Sequence, residues 1–212
     1  MNEGKKRFYE NQARTVMKKL QARKMEGYYC EDADAARRKV LELLGDTPKS
    51  VAYGGSVTVD ELGLKEAVSQ AGHELVLREG AATPEEEKAL KARIVNADAF
   101  LMSTNAITLD GELLNIDGMG SRVSFLIYGP GSVIIVAGMN KVVSDVEDGI
   151  RRVRNFAAPP NTVRLGCDTP CAVTGKCGDC LTNSICCQIV VTRASRVPGR
   201  IKVILVGEEL GY

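Results

Sequence analysis

The amino-acid sequence predicts an α/β fold, a Rossmann-like and largely parallel sheet with flanking helices, and three features carry that prediction. Short apolar runs bounded by glycine, aspartate or proline recur from Ser50 onward. Between them lie stretches with helical spacing and N-cap residues. The two kinds of segment alternate along the chain, the pattern of parallel strands joined by crossover helices.

Helical spacing opens the chain. Tyr9, Ala13, Val16 and Leu20 share one face, so residues 1–25 are predicted to form a helix that docks on the rest. A second helix is predicted from Asp32 to Leu44, stopped by Gly45 and Pro48. Ser50–Tyr53 reads as a short buried strand that runs into Gly54-Gly55-Ser56, after which Thr58 and Glu61 have capping-box spacing for a helix ending near Gly72. Residues 73–78 form the next predicted strand. Thr83-Pro84-Glu85-Glu86 combines an N-cap, a proline at the first helical position and a glutamate at the third, which predicts a helix to Asn96.

Residues 99–102, 113–116, 123–128 and 133–137 are then predicted as strands buried on both faces. Ser144 and Glu147 open another helix, with Val146, Ile150, Val153 and Ala157 on one side and Pro159-Pro160 as its expected end. Beyond it come apolar residues 163–165, a cysteine-rich segment at 167–187, and two further apolar runs at 189–191 and 201–206. The cysteines therefore belong to a connection inside the fold, a cysteine-rich insertion, and residues 1–212 read as one α/β domain.

Composition narrows the function. Lys+Arg 28 against Asp+Glu 27 leaves a net charge of +1, which argues against a nucleic-acid binder, and 5% aromatic residues without tryptophan provide no base-stacking platform. Residues 1–24 alternate charged and apolar positions, unlike a signal peptide, and no stretch approaches the ~20 apolar residues that span a bilayer. The expected compartment is the cytoplasm, where thiols stay reduced.

Six of the seven cysteines fall between Cys167 and Cys187, spaced C-x3-C-x5-C-x2-C-x5-C-C. Thiolates are soft ligands for zinc or an iron–sulfur cluster, and Cys177 with Cys180 lets two sulfurs reach one ion from a tight turn. Reduced, unligated thiols are the plainer alternative. Gly54-Gly55-Ser56 lies at a strand-to-helix turn suited to an anion, although it lacks the lysine of a Walker loop and also suits simple chain reversal. A polar constellation from Ser103 to Glu112, continuing to Asn115, Asp117 and Arg122, follows a buried strand, where open α/β sheets bind ligands. Asp110-Gly111 between Ile107 and Leu113 also signals a hairpin. Asn140-Lys141 places an amide and an ammonium at another strand end, where the lysine can pair with a carboxylate or phosphate. The single histidine, His73, reads as structural or surface, and Cys30 as an ordinary thiol.

Gly54-Gly-Ser-Val-Thr, Thr104-Asn-Ala-Ile-Thr-x-Asp-Gly, Gly120-Ser-Arg, Gly138-Met-Asn-Lys and Gly207-Glu-Glu-Leu-Gly-Tyr212 occur in that order. Together they resemble the LUD family, named for lactate utilization, over residues 5–212. The stretch from Thr169 to Cys180, with Cys186, is similar to a cysteine-bearing branch of that family and departs from its lactate-utilization protein C group. The resemblance implies a fold similar to the NagB-like superfamily of CoA transferases and ribose-5-phosphate isomerases, and a link to iron–sulfur-dependent oxidation of L-lactate to pyruvate.

The combined expectation is a cytoplasmic protein of lactate or organic-acid metabolism that binds a small anionic metabolite. Gly54, Gly55 and Ser56 are expected to contact the anion, Asn105, Asp110, Asn115 and Asp117 to orient it or act as acid and base, and Arg122 and Lys141 to neutralise its charge. Cys171, Cys177, Cys180 and Cys186 are the expected ligands of zinc or an iron–sulfur cluster, with Cys167 and Cys187 as substitutes. The alternatives are a non-catalytic accessory protein with a structural zinc, serving iron–sulfur redox partners, and a sugar-phosphate isomerase or CoA-transferase-like enzyme. Strand 201–206 offers one route to a homo-oligomer, core burial being the commoner place for such a run.

Overall fold

The computed structural model of the chain describes residues 1–77 and 81–212. In chain order its strands are Glu26–Cys30 (β1), Ser50–Tyr53 (β2), Glu74–Val76 (β3), Ala99–Met102 (β4), Ala106–Thr108 (β5), Leu113–Asp117 (β6), Ser132–Gly138 (β7), Val142–Val143 (β8), Gln188–Thr192 (β9) and Ile201–Val206 (β10). Six of them form a wholly parallel sheet in the order β1-β10-β7-β4-β2-β3. The other four make a smaller mixed sheet, β8-β5-β6-β9.

The apolar runs are explained by burial on both faces of the large sheet. Val133, Ile135 and Ala137 of β7, with Phe100 and Met102 of β4 and Val203 and Leu205 of β10, enter one core. Ile134, Val136, Leu101, Ile204 and Val206, the intervening residues, enter the other. Helices Glu3–Ala22 (α1), Pro84–Val95 (α5) and Ser121–Tyr128 (α6) contribute to the first core, and Ala33–Leu44 (α2), Val57–Glu61 (α3) and Leu64–Gln70 (α4) to the second. Phe100 meets Phe125 of α6 edge to face, ring centroids 5.4 Å apart, a geometry that adds about 1 kcal/mol to area burial. The remaining helices, Val146–Arg152 (α7), Ala158–Arg164 (α8) and Pro170–Thr174 (α9), lie between β8 and β9 in the chain, and Val153 and Ala157 pack with Ala106, Leu114 and Ile116 of the small sheet.

Local signals place many elements as expected. Tyr9, Ala13, Val16 and Leu20 are the buried face of α1. Asp32 caps α2, which ends at Gly45 with φ 74°, and Thr83 caps α5 with Pro84 at its start. The hairpin forms as well: Ile107 pairs with Leu113, and Gly111 takes φ 82° in the turn. The predicted strand at 73–78 narrows to β3, and its last residue, Arg78, lies outside the described residues.

Four expectations are corrected. Residues 123–128 are part of helix α6, not a strand: Val123, Phe125 and Leu126 are buried, while Ile127 and Tyr128 face solvent, Tyr128 at 88% exposure. A short apolar run cannot by itself distinguish the two structures. Pro159 and Pro160 do not end the helical region but begin α8, after a wider π-helical stretch at Val153–Ala157; proline is tolerated in a first turn, whose N–H groups have no helical acceptor anyway. Ser56, not Thr58, caps α3, and Asp145, not Ser144, caps α7. By contrast β10 is an inner strand with neighbours on both sides, in the core burial expected as the commoner place for such a run, and it has no free edge for pairing between subunits.

Candidate functional site

A cavity of about 540 Å³ opens at the carboxyl edge of the large sheet. Three parallel strands end there: β2 runs into Gly55 to Thr58, β4 into Ser103 to Asn105, and β7 into the turn that carries Lys141. This is where parallel α/β sheets place ligands, because the crossover connections diverge from the strand ends. Asp117 and Arg122 close one side, Asn161 and Arg164 of α8 another, and Cys186 and Tyr212 complete the wall.

Lys141 is the centre of the site. It is 3% exposed, and its Nζ donates to Thr58 Oγ1 at 2.7 Å and Ser103 Oγ at 3.1 Å. Burial, followed by the nearby positive charges of Arg152 and Arg122, lowers its pKa to about 7, against a smaller upward effect of Glu61. Arg122 is held by many acceptors. Its Nη1 donates to Ser103 O and Asn115 Oδ1, its Nη2 to Asn105 Oδ1 and Ile116 O, and its Nε pairs with Asp117 at 3.6 Å. Arg152 of α7 donates from Nε to Asn140 O at 3.0 Å and from Nη1 to Asn105 O at 2.8 Å. Burial lowers the pKa of both arginines, with Asp117 opposing the shift for Arg122.

The predicted residues divide by position. Gly55, Ser56, Asn105, Asp117, Arg122 and Lys141 all line the cavity. Gly54 sits just behind it, where a Cβ would lie 2.8 Å from Phe100 Cζ and 3.3 Å from Arg122 Cγ, so its role is close packing. Asn115 is fully buried on β6, accepts from Arg122 and leaves its Nδ2 without a protein acceptor. Asp110 stands apart. It occupies the hairpin tip, 61% exposed, and pairs with Lys19 of α1 at 2.7 Å. His73 is buried and structural, its Nδ1 accepting from Lys49 N.

The structure adds residues that the sequence did not single out. Arg152 had no local signal, because its partners lie on other elements. Thr58, which has capping-box spacing in the sequence, is an acceptor for Lys141 instead, because Ser56 does the capping. The C-terminal segment folds back over the site, with Leu210 N donating to Asn140 Oδ1 at 3.2 Å and Gly211 N to Glu61 Oε2 at 2.7 Å.

The cysteines form a neighbourhood beside the cavity. Burial and then the charges of Cys171, Cys177 and Cys180 push the Cys186 thiol up to about 11, so the other three predicted sulfurs each lie within electrostatic reach of Cys186. Burial also acts to raise the Cys171 thiol, but hydrogen bonds with the Thr162 and Thr169 hydroxyls and with backbone N–H groups make the net shift downward. Cys177 Sγ accepts from Arg154 Nε at 3.3 Å. Among the described residues, no three His, Cys, Asp or Glu side chains come together closely enough to enclose an ion. No helix among them is long and apolar enough to cross a membrane.

Fold and site thus define an α/β protein with a polar, cation-rich cavity at the carboxyl edge of a parallel sheet. The chain belongs to the LUD domain family, whose model matches residues 13–206. Its fold is similar to that of a DUF162 family protein from Deinococcus radiodurans, with 16% identity, 95% of this chain and 98% of that one covered, and a TM-score of 0.53. A partial likeness to eIF2B beta from Chaetomium thermophilum covers 57% of this chain and 42% of that one, with 17% identity and a TM-score of 0.39. No curated protein matches the chain.

Proposed function

We propose that this LUD-family chain binds a small anionic metabolite, a carboxylate or phosphate, in the cavity at the sheet edge and serves organic-acid metabolism of the lactate-utilization type. The observation that carries this reading is a convergence of buried basic groups, two of them arginines that stay charged at any physiological pH. Lys141, Arg122 and Arg152 converge within electrostatic reach, and only Arg122 makes an ion pair, to Asp117, among the described residues. Buried like charges oppose one another, and an anion between them relieves that repulsion. Because Asn105, Asn115, Asp117 and two backbone carbonyls occupy its donors, Arg122 contributes field rather than direct contact. Lys141, with the Ser56, Thr58 and Ser103 hydroxyls, is left to touch the ligand, and Asp117 is the carboxylate placed for acid–base work. Titration calorimetry with lactate, pyruvate, oxalate and phosphate tests the reading. At least one anion should bind, and Lys141→Met should weaken it about tenfold or more, the loss of about 1.4 kcal/mol or more; four anions without heat or competition would reject the site.

A second reading concerns the thiols, favoured by the electrostatic influence of Cys171, Cys177 and Cys180 on Cys186. Four thiols fit a thiophilic ion in donor chemistry, although their present spacing does not close a coordination sphere. We propose these four as the ligands. Zinc would staple the segment, whereas an iron–sulfur cluster would exchange single electrons with iron–sulfur redox partners. Anaerobic purification with metal analysis and an absorption spectrum separates the cases: visible colour with iron supports a cluster, stoichiometric colourless zinc supports a staple, and metal-free protein with six titratable thiols in this segment rejects both.

A further inference from the structure

We propose that Lys141 is a reactive amine that condenses with the carbonyl of a small oxo-acid ligand, a carboxylate carrying an aldehyde or ketone group. This deepens the anion-binding reading and rests on it. The argument begins with a count of hydrogens. Two hydroxyl oxygens accept from Nζ, Thr58 Oγ1 at 2.7 Å and Ser103 Oγ at 3.1 Å. Their own protons are directed elsewhere, Thr58 Oγ1 donating to Leu210 O and Ser103 Oγ to Thr104 O, each at 3.4 Å. Two acceptors match the two hydrogens of a neutral amine and leave its lone pair for whatever enters the cavity that Lys141 lines. An ammonium would carry a third hydrogen that has no protein acceptor among the described residues.

The surroundings favour the same form. Arg122 on α6 and Arg152 on α7 face Lys141 with positive charge, Glu61 on α3 is the one carboxylate among the described residues with an influence on it, and Glu61 accepts from Gly211 N. Desolvation beside other cations is a general route to a nucleophilic lysine. The amine is thus neutral above about pH 7, whereas surface lysines remain protonated there. The cations that keep the amine neutral also attract the ligand's carboxylate, which brings the neighbouring carbonyl carbon to the nitrogen.

The condensation balances without an oxidant or reductant. The nitrogen bonds to the carbonyl carbon, the carbonyl oxygen departs as water, and that water carries the two hydrogens of the amine. The Thr58 and Ser103 hydroxyls, already bonded to Nζ, are placed to pass those protons on.

Trapping tests the proposal directly. The full chain is incubated at neutral pH with pyruvate or glyoxylate and cyanoborohydride, with lactate as the carbonyl-free control, followed by intact mass measurement and peptide mapping. The expected result is one reduced adduct, mapped to Lys141, absent with lactate and absent from folded Lys141→Met, with a yield that climbs as pH rises through about 7. An adduct shared evenly among surface lysines would overturn it. So would calorimetric binding of pyruvate without a Lys141 adduct, an outcome that leaves the anion site standing. If neither oxo acid nor any other anion binds, the underlying anion-site reading fails together with this one.

Discussion

Replacing Lys141 with methionine removes a buried charge whose cost is set by pH. The lysine has a pKa of about 7 in the folded chain against 10.5 when solvated. Below about pH 7 both folded and unfolded chains hold the proton, and the native state bears the full penalty of a buried ammonium, about 5 kcal/mol at ~1.4 kcal/mol for each tenfold in the proton equilibrium. Between about 7 and 10.5 the unfolded chain binds a proton that the folded chain has released. Stability therefore rises with pH across that window, at about 1.4 kcal/mol per pH unit, and the gain is complete above it. Lys141→Met has no such dependence. Relative to the variant, the native chain should gain about 2 kcal/mol between pH 7 and pH 9, and the variant should be the more stable protein at pH 6. Urea denaturation of both proteins, followed by circular dichroism across this range in large zwitterionic buffers, measures the difference. Thiol titration occurs in both proteins and cancels. A difference that stays flat from pH 6 to pH 9 would refute the argument for a neutral buried lysine.

Two further perturbations bear on the same region. Arg122→Met removes the guanidinium donors from Asn105 and Asn115 and the cation from Asp117 at once and should destabilise the chain by about 3–5 kcal/mol in urea titrations; Arg122→Lys should not restore it, because an ammonium cannot reproduce the planar fork. Gly138→Ala places a Cβ 2.6 Å from Leu210 N and 2.7 Å from Glu208 O, so it should cost about 1–3 kcal/mol of stability by calorimetry. It should also weaken anion binding by displacing the C-terminal segment.

What was legible in the sequence follows from the range of the interactions involved. The face of α1, the caps of α2 and α5 and the Asp110-Gly111 hairpin depend on residues within a few positions of one another, and each appears where the pattern puts it. Strand β1, Glu-Gly-Tyr-Tyr-Cys, went unread because it lies at the sheet edge and is mostly half-buried, without an apolar run. Segment 123–128 misled because its apolar residues include two that face water. In the site, Asp110 was grouped with Asn105 by proximity in sequence, yet the hairpin carries it out to Lys19. The meeting of Lys141 with Thr58, Ser103 and Arg152 could not be read locally, since it is produced by crossover topology that brings distant strand ends to one edge.

The position of β10 sets the order in which the molecule can be completed. The last of the large sheet's strands to leave the ribosome is one of its inner strands, inserted between β1, the first of them in chain order, and β7. Until it arrives, β1 has no strand to pair with and the α1 face has only part of its sheet to cover. The segment that follows, residues 207–212, then fastens Glu61 and Asn140 beside Lys141. A nascent chain cannot close this cavity before β10 and residues 207–212 have emerged, so a chain made only as far as β9 presents no finished binding site.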